Sequence, residues 1–343
     1  MDSLTQVVLG GAVGEAVLGK KVGNKAVVWG AVAGTVPDLD VFAGALLNPV
    51  AQADFHRGLS HSLVFSIVVA PLLGAIISRI HKKEGLGWRP WAWLAFWGLV
   101  THPLLDMFTT WGTEFFWPFS NAKIAFNSVF VVDPLYTLPF LGCLIAVLFM
   151  RRDSKRRRIV NWIGIGWSCA YLCVGLVNKS VARGVFEGEM AQREIKTEHY
   201  MTRPTPFNGL LWGMVAREGD TFWLGYHSLP GGSDRVHLLA FQSEPLPPEM
   251  EDLELVQDLK RLSKDFLFAK RIENGWMLSD LRYMTTEFDL DGDEAFLFNY
   301  YLRKGENGEW EVELERSAPP LNRETMGKFW EAIWNGPAAN RAP

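Results

Sequence analysis

Histidine and aspartate carry most of the chemistry this sequence offers. The stretch FHRGLSHSLVF (55–65) sets His56, Arg57 and His61 directly against an apolar run. THPLLD places His102 and Asp106 four residues apart, so on a helix both project from one face toward one point. TVPDLD supplies Asp38 and Asp40 behind Pro37, a residue that breaks a helix and turns the side chains after it. VVDPLY adds Asp133, and MDSLTQ adds Asp2 and Gln6. Imidazole and carboxylate together are ligands for zinc and related divalent ions. The candidate metal set is therefore Asp2, Asp38, Asp40, His56, His61, His102, Asp106 and Asp133, enough for one or more ions. Two ions side by side would suit phosphoryl chemistry, clamping attacking and leaving oxygens. Asp38 is also a candidate catalytic carboxylate. Arg57 would neutralise a carboxylate or hold a phosphate with its planar fork. Glu15 lies inside an apolar segment and is open to several roles: general base, support for a ligand, snorkelling to the interface, or an interhelical contact.

These groups are expensive where they stand. Five stretches, 26–47, 62–80, 91–110, 128–150 and 159–181, approach the ~20 apolar residues that cross a bilayer core. A sixth, 4–19, is shorter, rich in Gly and Ala, and reads as a short span or a re-entrant helix. It lacks the basic start of a secretory signal peptide. Small residues in the first two segments would let helices approach closely. Trp88, Trp91, Trp93 and Trp97 resemble an interfacial aromatic belt. Three basic loops, GKKVGNK (19–25), RIHKKEGLGWR (79–89) and RRDSKRRR (151–158), alternate with the other loops. The positive-inside rule puts them in the cytoplasm. The expectation is about six transmembrane or re-entrant helices, with both termini and the candidate His/Asp ligands on the outer side. His81 falls in a basic loop and reads as solvated. An aspartate at the bilayer centre costs about 2.5–3.5 kcal/mol on insertion. A shared ion or a water-filled cleft would offset that cost.

The composition changes near residue 183. The expected division is a helical membrane domain, 1–182, and a soluble α+β domain outside the cytoplasm, 183–343. TFWLGYHSL, HLLAFQ, EAFLFNYYLR and WEVELER read as strands. EMEDLELVQDLKRLSKDF and ETMGKFWEAIW have helical periodicity. RPTPFNGLLW reads as a lead into the first strand. His199, His227 and His237 share no metal-like spacing, and DLDGDE (289–294) reads as an acidic turn. Cys143, Cys169 and Cys173 lie in apolar runs without CxxC spacing and read as small buried hydrophobes. A net charge of −4 gives no argument for nucleic acid, and RRDSKRRR between two apolar spans reads as a topology determinant.

As an ordered set, MDSLTQ, PDLD, HRGLSHS, THPLLD and VVDPLY resemble a bacterial family of membrane-bound, metal-dependent hydrolases. Some members are described as LexA-regulated inner-membrane proteins. TPFNGLLW (205–212) extends the likeness into the tail. The resemblance implies an integral inner-membrane hydrolase with His and Asp ligands, zinc being the expected ion. The His-x-x-x-Asp pair is similar to that of zinc-dependent phospholipases C and P1-type nucleases, which points to phosphoester cleavage on a lipid-linked or periplasmic substrate. Where the family commonly has Thr-His, this chain has Thr5-Gln6, and Asp2 is a candidate replacement ligand. Two other classes use the same residues: a transporter with an Asp/His cation pathway, and a scaffold with a purely structural ion. Transporters often show two related halves, and no such repeat is visible. A surplus of ligands over one four-coordinate ion favours an open or multinuclear site.

Overall fold

The computed structural model describes residues 1–197, 199–231, 236–283, 296–305, 308–317 and 322–336. The DLDGDE stretch lies outside them. The chain divides into two compact units. One comprises Met1–Leu46, Phe55–Leu176 and Pro206–Asn208; the other comprises Leu47–Asp54, Val177–Thr205 and Gly209–Pro343.

The first unit is helical. Asp2 caps α1 (Ser3–Gly14), which runs through a π-helical turn, Glu15–Gly19, into the short α2 (Lys20–Val22). Helix α3 (Asn24–Thr35) packs back against α1 with almost no space between backbones. A Cβ on Gly10 would stand 2.4 Å from the Gly30 carbonyl oxygen, and one on Gly34 would stand 2.9 Å from that of Gln6. Only glycine permits this approach. Pro37 then breaks the helix. A 3-10 turn, Pro37–Leu39, leads into α4 (Asp40–Gly44), bent 44° from α3. After α5 (Pro49–Phe55) and a 3-10 turn at Leu59–His61, Ser62 caps α6 (Leu63–Ile80). Helix α7 (Trp88–Asp106) packs on α6, where a Cβ on Gly74 would stand 2.5 Å from the Ala92 nitrogen. A long loop precedes α8 (Pro134–Leu148) and α9 (Lys155–Gln192).

By length and apolar composition, α6 and α9 are able to cross a membrane alone; α3 and α4 make a third span if the bent pair counts as one. Among the described residues that is two or three candidate spans, where about six transmembrane or re-entrant helices were expected. The short α1, at 12 residues, and α8, at 15, are below a span's usual length. The fifth expected segment begins later than read, because Asp133-Pro134 starts a helix there. Helix α9 continues past residue 182, through the expected domain boundary.

The second unit holds two antiparallel sheets. Strands β1 (His199–Pro204), β2 (Leu211–Glu218), β3 (Thr221–Ser228) and β4 (His237–Gln242) form one meander. After α10 (Pro248–Glu251) and α11 (Glu254–Leu262), strands β5 (Leu267–Ile272), β6 (Gly275–Asp280), β7 (Phe298–Lys304) and β8 (Trp310–Arg316) form the other. Helix α12 (Arg323–Asn335) follows. Val256 and Leu259 of α11 pack with Leu278 and Leu302 of the second sheet, and Val50 of α5 is buried in the same core. RPTPFNGLLW does not precede the first strand; it holds the end of β1, the turn after it and the start of β2. His81 is not solvated: its ring stacks on Trp91 and its Nε2 accepts from Trp29 Nε1 at 2.8 Å. The cysteines are free, but Cys169 and Cys173 are exposed on α9 rather than buried.

Candidate metal centre

Asp38, His61, His102 and Asp106 meet where α1, α3 and α7 converge with the Leu59–His61 turn. The close α1–α3 packing leaves the Gly34 carbonyl facing α7, where it lies 2.6 Å from His102 Nδ1. A carbonyl only accepts, so Nδ1 carries the proton and His102 Nε2 presents its lone pair. His61 is fixed the same way. Asp40 Oδ2 accepts from Ser60 Oγ at 2.7 Å, which turns the Ser60 lone pair toward His61 Nδ1 at 2.9 Å. His61 Nδ1 therefore donates, and its Nε2 is also unprotonated in the neutral ring. The two Nε2 atoms face each other at 3.1 Å. Two lone pairs at that distance repel unless a cation or a proton sits between them.

Carboxylates complete the cluster. Asp38 Oδ1 lies 3.4 Å from His61 Nε2 and 3.3 Å from His102 Nε2. Asp106 Oδ2 lies 3.6 Å and 3.7 Å from the same two atoms. In a tetrahedral zinc site with bonds of ~2.0–2.1 Å, geometry puts the ligand atoms ~3.3–3.4 Å apart. Asp38, His61 and His102 form a group able to hold an ion, each offering an atom within 4.8 Å of the others. Asp106 Oδ2 is buried and makes no hydrogen bond, which a ligand atom awaiting a cation would show. Its other oxygen accepts from Gln6 Nε2 at 3.0 Å and contacts the Met1 amino nitrogen. The donor set fits a divalent ion.

Three further residues support these four. Asp40 binds His56 Nδ1 at 2.8 Å through Oδ1, and through Oδ2 it takes Ser60 and the Arg57 backbone N–H at 3.3 Å. Both its oxygens are engaged, so it orients the histidines instead of pointing at the centre. His56 is half-buried beside His61. Arg57, in a left-handed conformation (φ 68°), donates to Thr109 Oγ1 at 2.9 Å and holds Nε 3.2 Å from Asp106 Oδ2. It neutralises a carboxylate.

Three expected residues lie elsewhere. Asp133 caps α8, accepting from the Leu135 and Tyr136 backbone N–H groups and, at 2.7 Å, from Tyr171. Asp2 caps α1 through Thr5. Both follow from aspartate's preference for the N-cap. Glu15 is paired with Arg157 through two hydrogen bonds, 2.7 and 2.6 Å, far along the helix from the cluster. Gly34, Ser60 and Thr109 were not singled out from the sequence. Ser60 alone left a trace there, as the residue beside His61.

Fold and site together define a helical unit with two or three candidate membrane spans and a buried His/Asp constellation. The family model for the YdjM inner membrane protein matches residues 1–182, and the chain belongs to that family. Inner membrane protein YbcI of Escherichia coli (strain K12) is 36% identical over 118 residues, 32% of this chain and 66% of YbcI. The uncharacterized protein YfhP of Bacillus subtilis (strain 168) is 28% identical over 151 residues, 42% of this chain and 45% of YfhP. The chain thus spans less than two thirds of either relative. No solved structure matches it.

Proposed function

We propose that this chain is a multi-pass inner-membrane, metal-dependent hydrolase that cleaves phosphoesters at the outer face, with its C-terminal domain outside the cytoplasm. The observation that carries the reading is the pair of facing Nε2 atoms on His61 and His102, each with its other nitrogen committed to a fixed acceptor. Side chains held so are preorganised for an ion at no cost in reorganisation. Asp38, His61, His102 and Asp106 would hold it, and a divalent ion supplies Lewis-acid activation of water and of a phosphoryl oxygen. Asp38 is the partly exposed member, 27% accessible, so substrate reaches the centre past its carboxylate. Arg57 balances Asp106, and Asp40 with Ser60 keeps His61 in its tautomer. The orientation rests on the alternating basic loops.

The test is a phosphoester screen on protein in detergent or nanodiscs, with and without EDTA. Turnover that EDTA abolishes and Asp38→Asn cuts supports the reading. Alkaline phosphatase fused after residue 343 should be active, and fused within 82–87 silent; the reverse would move the site to the cytoplasm. A second reading, cation transport, draws on the break at Pro37, since interrupted helices line transport sites. Metal-loaded protein that cleaves no phosphoester but moves a cation across sealed vesicles, dependent on Asp38, would establish it.

A further inference from the structure

Several residues adjacent in the chain to the centre's ligands are large, apolar and exposed. On α4 and just after it, directly behind Asp38 and Asp40, Phe42 is 75% and Leu46 90% accessible. Leu59, between Arg57 and His61, is exposed as well. The loop after α7 adds Phe116 and Phe119, the latter 85% accessible. This loop is fastened in place and does not hang free. The Glu114 backbone N–H donates to the Arg57 carbonyl at 3.0 Å, Leu63 N–H donates to Phe115 at 2.9 Å, and Thr113 bridges Ile124. Its aromatic tip is thus held on the segment that carries Arg57 and His61.

Exposed side chains of this size seek an apolar partner. The partner is indicated by continuity: Leu59 leads directly into α6, a candidate membrane span whose Ile67, Val68 and Leu72 are also exposed. The rim belongs to the same lipid-facing surface, carried up to the site. Water-soluble substrates need no such border, and its apolar character would cost solubility if it faced water. Resting on the hydrolase reading above, we infer that the substrate is a membrane lipid bearing a phosphoester, entering sideways from the outer leaflet. Its hydrocarbon lies along Phe42, Leu46, Leu59, Phe116 and Phe119, and its phosphate reaches the centre past Asp38. In the reaction, water adds to phosphorus, the P–O bond to the leaving alcohol breaks, and that alcohol takes up a proton.

The test uses the full chain in nanodiscs with two probes, phosphatidylglycerol in the disc and soluble bis(p-nitrophenyl) phosphate. The double variant Phe116→Ser, Phe119→Ser should lower the ratio of lipid to soluble turnover about tenfold or more, since ~1.4 kcal/mol of lost apolar contact is tenfold. A benzophenone amino acid at position 119 should capture disc lipid on illumination, a readout that needs no activity. An unchanged ratio, cleavage of the soluble probe alone, or capture of no lipid overturns the inference. Wild-type protein that cleaves neither probe with any divalent ion defeats the hydrolase reading and the substrate with it, while lipid capture at 119 still decides the rim.

Discussion

Two of the places where the helical unit buries charge differ in how far that charge is satisfied. Toward the basic loops, Glu15 and Arg157 form a bidentate pair. Arg157 Nη1 also donates to Asn24 Oδ1 at 2.8 Å and to the Met150 carbonyl at 2.7 Å. Nothing in that pair is left over for a ligand. At the other place, His61, His102, Asp38 and Asp106 turn lone pairs toward each other, and Asp106 Oδ2 goes without a hydrogen bond. A closed pair does structural work. Converging lone pairs, with supporting hydrogen bonds all on the far side of the rings, make sense as a binding site. A buried carboxylate thus serves either end, and the partners around it separate the two.

Breaking the closed pair should have the largest effect on folding. Arg157→Ala leaves a buried carboxylate alone and should cost about 3–5 kcal/mol, read as a fall in melting temperature in detergent. Metal content per folded chain should not change. If Arg157→Ala instead strips the metal while the fold holds, the two places are one site and the contrast fails.

Removing the ion should come next. A ligand at 100 times its dissociation constant stabilises by about 2.7 kcal/mol, so EDTA should lower the melting temperature of the wild type. The same treatment should leave His61→Ala where it was, because that variant has no ion to lose. Equal shifts in both proteins would contradict this.

Asp40→Asn and Ser60→Ala should each weaken metal affinity about 10–100-fold, because both help hold the His61 tautomer. Isothermal titration with zinc would read it; unchanged affinity would show that the chain Asp40–Ser60–His61 does not support the centre.

His102 and Asp106 were legible because a helix converts i, i+4 spacing into a shared direction. Pro37 likewise announced a break that turns Asp38 toward the histidines. Asp133 and Asp2 were misread for a local reason. Aspartate just before a helix serves as an N-cap as readily as a ligand, and at Asp133 the signal was stronger still because Pro134 sits at the first position of α8. Glu15 could not be assigned, since its partner comes 142 residues later. The Gly34 acceptor is a backbone carbonyl and leaves no mark in side-chain chemistry. In the second unit, β2 escaped because six successive residues, Leu211–Ala216, are buried, which erases the alternation that marks a half-exposed strand.

Gln6→His should have the smallest effect and is the sharpest probe of the cluster's edge. Gln6 Nε2 donates to Asp106 and to the His102 carbonyl, while its Oε1 is buried without a partner. An imidazole there should raise metal affinity slightly if it reaches the centre. A drop would mean that the Gln6–Asp106 hydrogen bond matters more than an added ligand.

The central claim is that His61 and His102 hold a divalent ion between their facing nitrogens. It is tested most directly by elemental analysis of protein purified without chelator, wild type beside His61→Ala and His102→Ala. Wild-type protein should carry, or take up on titration, about one zinc-like ion per chain, and each variant should lose it while keeping the wild-type circular dichroism spectrum. Folded wild-type protein that binds no stoichiometric divalent ion, or variants that bind as much as the wild type, would contradict the claim.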